Sequence, residues 1–201
     1  MRNLWKQILL RAAGLLCIFA FPALGQKSTL NLESLISQSG MIFSGTVIAV
    51  ETGTKDRQMN LFMTYYTFRI NDGIYGVDSD TVRIKQYGGE ANGKKFYPKG
   101  IPRFEKGEEV LVMLYPPSKI GMTSTVGREQ GKFIVQPADS EGVSLVTNGV
   151  GNKGLFKKLR HPEMVAEQEW TKHQSGPVPY RVLIETIRNL VPELKKNGGK
   201  L

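Results

Sequence analysis

Two histidines and three acids near the C-terminus form the one grouping in this chain that resembles a metal site. His161, Glu163, Glu167, Glu169 and His173 are close in sequence, and Glu169 and His173 have the i, i+4 spacing of one helix face. No His-Glu-x-x-His pattern accompanies them, so they read as a solvated, salt-bridged face and no metal is expected. Nucleophilic catalysis lacks its parts: no Gly-x-Ser-x-Gly elbow occurs, and the single cysteine is Cys17. The acid pairs Asp78/Asp80 and Glu108/Glu109 fall in a turn and at a strand start, both ordinary places for solvated carboxylates. Gly149-x-Gly151-x-x-Gly154 matches a dinucleotide fingerprint in its letters. That fingerprint works only inside a βαβ unit with an acid about twenty residues on. Here its neighbours read as β, so the glycines are expected to be a linker. The inventory predicts no catalytic residue, no cofactor and a protein that is not an enzyme.

The N-terminus says where the chain works. Arg2, Lys6 and Arg11 are followed by the uncharged run 12–24, with Pro22 just before Ala23-Leu24-Gly25. This is the layout of a secretory signal peptide over residues 1–25, with cleavage following Gly25. The run is too short for a membrane span, which needs about 20 apolar residues, so no stable transmembrane anchor is expected after cleavage. Cys17 leaves with the leader, and the mature chain then has no thiol, disulfide or cysteine metal site. Removing Arg2, Lys6 and Arg11 lowers the formal charge from +9 to +6. About 175 residues remain, enough for one domain with a core. The expected location is periplasmic or extracellular.

The stretch 83–106 concentrates charge. Arg83, Lys85, Lys94, Lys95, Lys99, Arg103 and Lys106 face only Glu90 and Glu105, and Phe96, Tyr97 and Phe104 are interleaved. In a cytosolic barrel, cations with aromatic platforms would suggest single-stranded nucleic acid. Export turns the reading to a protein contact, with no nucleic-acid partner. The candidate protein-binding residues are Lys94, Lys95, Phe96, Tyr97, Lys99 and Arg103, with Tyr97 and Arg103 as anchors because Tyr and Arg dominate interface energies. The other reading is a lysine-guarded edge that prevents sheet-to-sheet aggregation.

The elements that must position these residues follow from periodicity. Leu32, Leu35 and Ile36 mark a short amphipathic helix over 30–38. Strands are predicted at 41–51, with a bulge or bend at Gly45, and at 61–70, 81–87, 110–115, 123–126, 132–135 and 143–147. Segment 110–115 is apolar on both faces and so should be buried on both sides. Residues 53–60 and 90–106 read as long connections, 149–154 as a linker and 155–178 as mixed and polar. A helix opens at Pro179, with Leu183, Ile184, Ile187, Leu190 and Val191 in one stripe, and Pro192 ends or kinks it. Short strands with glycine turns argue a small β-barrel or sandwich. The predicted class is mainly β: an OB-fold-like small barrel over 26–148, then a linker and a C-terminal amphipathic helix over 149–201 that packs on it.

Several of these strands carry a resemblance. Phe43-Ser-Gly45-Thr-Val47, Tyr66-Thr-Phe68-Arg-Ile70, Val82-Arg-Ile84, Gly88-Gly89 and Pro102-Arg-Phe104-Glu-Lys-Gly107-Glu108, with Gly127 and Gln130-Gly131-Lys-Phe133, resemble a family of uncharacterised exported bacterial proteins. These are similar in turn to netrin-module and tissue-inhibitor-of-metalloproteinase domains, which are OB-fold barrels. The likeness covers about residues 40–135. It implies a fold and an extracytoplasmic binding role, with a protease as the first partner class to test. Inhibitors of that type chelate zinc through an N-terminal cysteine. A mature chain starting at Gln26 has none, so that chemistry does not carry over. A second function class is an envelope-associated structural protein adsorbed to anionic surfaces through its basic face.

The leader makes a direct prediction: intact-mass measurement of the exported protein gives a chain starting at Gln26, with or without cyclisation to pyroglutamate. A full-length mass in the membrane fraction would refute it.

Overall fold

The computed structural model describes residues 29–55, 61–91 and 93–196; the signal peptide expected over 1–25 and most of the connection expected over 53–60 lie outside the described residues. The fold is mainly β, with a short helix near its start and a longer one at its C-terminal end. Helix α1 (Leu32–Gln38) is followed by β1 (Met41–Lys55), β2 (Phe62–Tyr75), β3 (Thr81–Tyr87), β4 (Gly89–Ala91), β5 (Lys94–Phe96) and β6 (Glu109–Leu114). Strands β7 (Lys132–Val135), β8 (Leu145–Asn148) and β9 (Val178–Pro179) precede the C-terminal helix α2 (Tyr180–Lys195). Seven strands form one antiparallel sheet in the order β3-β2-β1-β6-β7-β8-β9, and β4 pairs with β5 in a separate hairpin.

Strands β1 and β2 are longer than their patterns suggest. Asn71, Asp72 and Gly73 are residue types that favour turns, yet β2 continues through them because β1 pairs alongside, Phe43 opposite Gly73 and Ile42 opposite Tyr75. The bulge expected at Gly45 is present, with a register shift between Ser44 and Gly45. A Cβ on Gly45 would lie 2.5 Å from the Arg69 carbonyl oxygen, so only glycine fits.

The expected barrel is not closed strand to strand. Segment 123–126, predicted as a strand, makes single bridges instead. Met122 pairs with Lys85 in a parallel sense, and Thr125 pairs with Leu114 in an antiparallel sense. Val126 N–H then donates to the Met113 carbonyl at 2.8 Å. The segment therefore stitches the outer edge of β3 back to β6. The resulting order, β1-β2-β3-(122–125)-β6-β1, is that of a partly open OB-type barrel. Regular pairing fails because Gly127, which has φ +61°, and the 3-10 turn Arg128–Gly131 redirect the chain before a ladder can form.

Strand β6 divides two cores, as its two-sided apolar pattern requires. Val110, Val112 and Leu114 pack inside the barrel with Phe43, Val47, Tyr66, Phe68, Ile84 and Phe104. There Phe68 meets Phe43 and Phe104 edge-on, at centroid distances of 5.3 and 5.1 Å. Leu111 and Met113 face the other way, into a larger core with Ile42, Phe133, Val146, α1 and α2. Leu183, Ile184, Ile187 and Leu190 of the α2 stripe are buried there and Val191 is partly buried, and the helix runs one turn past Pro192 before ending. No helix among the described residues is long and apolar enough to cross a membrane.

The linker reading of 149–154 is overturned by a buried asparagine. Asn152 is fully buried at φ +54°, and its Nδ2 donates to the carbonyls of Val146 and Gly176. Its Oδ1 accepts from Asn148 N–H, while Asn148 Oδ1 accepts from Asn152 N–H at 2.8 Å. Leu155, Phe156 and Val165 then enter the larger core. Glycine richness here supplies turn geometry within a fixed loop rather than freedom.

Leu111→Ala should lower stability by about 2–5 kcal/mol in denaturant unfolding, because the side chain is fully buried between the sheet and the helices. An unchanged melting temperature would contradict the two-core arrangement.

Candidate protein-binding surface

The basic connection is a hairpin plus an anchored return. Gly88, with φ +107°, turns the chain sharply out of β3, and Thr64 Oγ1 donates to its carbonyl at 2.8 Å. The β4–β5 hairpin then pairs Gly89 with Phe96, Glu90 with Lys95 and Ala91 with Lys94. It is tied to β1 by the Glu90 N–H, which donates to Thr52 Oγ1 at 2.7 Å. Gly89 sits so close that a Cβ would come within 2.9 Å of the Met63 carbonyl oxygen. The stretch 90–106 reads as a single connection in the sequence, because strands of three residues leave no periodicity to detect.

The hairpin brings most of the expected binding residues together. Lys94, Lys95, Phe96, Lys99 and Arg103 are exposed and Tyr97 is half-buried. Lys95 pairs with Glu90 at 2.8 Å, and the Tyr97 hydroxyl donates to the same carboxylate at 3.2 Å. The Lys95 hydrogen bond, helped by that of Tyr97, holds the Glu90 carboxyl below its ordinary range. The Arg103 guanidinium lies over the Tyr97 ring, 4.8 Å from its centroid. Phe96 is 44 % exposed and leans its ring against Tyr87, at 5.3 Å. The two expected anchors are therefore stacked on each other, a relation that residue type alone does not show.

Phe104 leaves this group. Composition places it with Phe96 and Tyr97 as a surface aromatic, but it is 3 % exposed and packs against Tyr66 and Phe68 in the barrel. Its burial follows from Lys132, whose ammonium donates to the Arg103 carbonyl at 2.6 Å and to Glu108 at 2.8 Å. The same ammonium sits 4.8 Å from the Phe104 centroid. Gln86 adds a second tie, donating through Nε2 to the Pro102 carbonyl at 2.9 Å. A buried cation and a buried amide thus fasten the return of the connection to β7 and β3. Lys132 sits in the stretch Gln130-Gly131-Lys-Phe133, and nothing local marks it as different from a surface lysine.

Both histidines and several of the other acids have structural partners. His161 Nδ1 lies 3.4 Å from Glu163, and His173 packs against Trp170 with Nε2 at 3.1 Å from the Gly176 carbonyl. Among the described residues, no three His, Cys, Asp or Glu side chains gather as metal ligands do. Glu109 accepts a long hydrogen bond from Asn71, at 3.4 Å. Arg181 reaches both Glu167 and Glu185. The acid with no sequence signal of its importance is Glu33. It is 2 % exposed, and its two oxygens accept the N–H groups of Arg160 and His161, each at 2.8 Å. These partners stand more than 120 positions away in the chain, so no local pattern could announce them.

Comparison with known proteins adds no relative: no protein-family model, no curated protein and no solved structure matches the chain.

Proposed function

We propose that the chain is an exported, non-enzymatic binding module whose partner is an extracytoplasmic protein. The observation that carries this reading is the way the basic hairpin is presented. Its cations and Phe96 are exposed and Tyr97 half-buried, yet Lys132, Gln86, Phe104 and Thr52 hold its backbone to the sheet. A surface fixed in this way loses little conformational entropy on binding, which leaves more of its contact energy as affinity. The Arg103–Tyr97 stack supplies the amphipathic, preorganised side chains that interfaces favour. A guard against edge pairing would need charge alone and no such framework. Export comes from the leader, and an extracellular or periplasmic protease is the first partner class to test, on the resemblance of residues 40–135.

The second reading, adsorption of the basic face to an anionic envelope surface, is favoured by the excess of cations on the connection. Salt separates the two. Adsorption falls steeply as charges are screened, whereas a shape-complementary interface keeps much of its affinity.

Tyr97→Ala combined with Arg103→Ala should weaken partner capture from native envelope and medium at least tenfold, about 1.4 kcal/mol. The thermal transition should stay nearly unchanged, because neither side chain enters a core. Equal capture by the double variant would leave the connection only as an edge guard.

A further inference from the structure

Beside the hairpin lies a groove of about 490 Å3 between the end of β3 and the loop 115–124. Tyr87, Ile101, Tyr115, Pro116, Ile120 and Met122 line it, so its walls are mostly apolar. Ile120 is 48 % exposed at its mouth, and Phe96 extends the apolar surface through its contact with Tyr87. The loop is preformed. Thr123 N–H donates to the Lys85 carbonyl, Tyr115 N–H to the Ser124 carbonyl, and Ser118 N–H to the Met122 carbonyl, at 3.0, 3.0 and 2.8 Å. A volume of this size in a preformed apolar setting is that of a ligand site.

Two further features say what it would take. Gln86, also in the lining, is 3 % exposed; its Nε2 is used on Pro102, while its Oε1 accepts no hydrogen bond from the described residues. A buried acceptor left unmet is costly, and a ligand N–H can satisfy it. The segments bordering the groove, residues 85–87, 94–106 and 115–124, carry seven basic residues and one acid, Glu105. Lys99 and Lys119 are exposed and make no ion pair among the described residues. Cations on three separate segments suit a ligand with several carboxylates along a chain rather than a single anionic head.

We propose that this groove receives one bulky apolar side chain of an extended acidic peptide segment. A main-chain N–H of that segment donates to Gln86 Oε1, and its carboxylates lie toward Lys99, Arg103 and Lys119. The inference rests on the binding-module reading and names the chemistry of the partner. It also accounts for exposed Phe96 and Ile120, which scattered surface charge does not explain.

The test is a titration of the 15N-labelled mature protein with the blocked pentapeptide Asp-Glu-Phe-Glu-Asp, followed by amide shifts. Saturable shifts are expected at Tyr87, Ile101, Met122 and Thr123. Affinity should fall at least tenfold when Ala replaces the central Phe, when Lys replaces the acids, or when the protein carries Ile120→Asp. Because Ile120 is at the surface, that variant should keep its thermal transition; Lys119→Glu serves as a second one and should weaken the acidic peptide while strengthening the basic control. Shifts confined elsewhere, absent saturation, or equal affinity for the three peptides would overturn the inference. If Ile120→Asp keeps partner capture that the Tyr97/Arg103 double variant loses, the groove assignment fails and the binding-module reading stands. Peptide binding at the groove, with capture unaffected by the double variant, would instead support the groove and remove the hairpin anchors from the binding-module reading.

Discussion

A six-residue strand with no polar face constrains everything around it. Every side chain of β6 after Glu109 is buried, alternating between the barrel interior and the helical layer. Such a strand cannot lie at a surface, so the sheet must carry a packed layer on each side. On one side the β1-β2-β3 meander curls over it; on the other, α1 and α2 cover it. β1 shares the duty at its start, where Phe43 faces the barrel and Ile42 the helices. The polar exception on that side, Ser44, accepts a hydrogen bond from the Tyr180 hydroxyl at 2.8 Å, so even this contact joins sheet to helix.

Cysteine is absent beyond residue 17, and buried polar side chains take over the task of fixing long connections. Glu33 holds 160–161 against α1, Asn152 holds 146–152 against Gly176, and Lys132 holds 103–108 against β7. Each pairs with backbone groups in part-buried or buried hydrogen bonds. Bonds to the charged groups among them are stronger than neutral ones, and breaking one leaves the remaining group stranded. The connection that displays Lys95, Phe96 and Tyr97 is fastened at its return by Lys132 and Gln86, and at its hairpin by Thr52. Lys132 thus joins the proposed binding surface to the frame without itself lying on that surface.

Much of this is legible in the residues. Alternation locates β2 and β3, the two-sided run locates β6, and the i, i+4 stripe locates α2. The parts that escape share one property: their cause is distant in sequence. Segment 123–126 carries a strand-like composition, but its partners at 85 and 114 offer only one bridge each. Phe104 reads like its neighbours Phe96 and Tyr97 until Lys132, 28 positions on, draws the chain inward. Asn152 sits in a glycine-rich stretch whose local signal is freedom, and only burial turns it into a fixed turn. For the candidate surface, composition picks the residues; the Arg103–Tyr97 stack and the groove beside Tyr87 require the fold.

If β6 couples the two cores into one cooperative frame beneath the basic hairpin, native-state hydrogen exchange will show a single opening. The amides of Val110 to Leu114 in the sheet, and those of Arg160 and His161 bound to Glu33, should exchange with the same free energy, equal to that of global unfolding by denaturant. Exchange of the Arg160 and His161 amides through a separate opening, at a clearly lower free energy while the β6 amides stay protected, would show that the helical layer is a loose attachment and contradict the account.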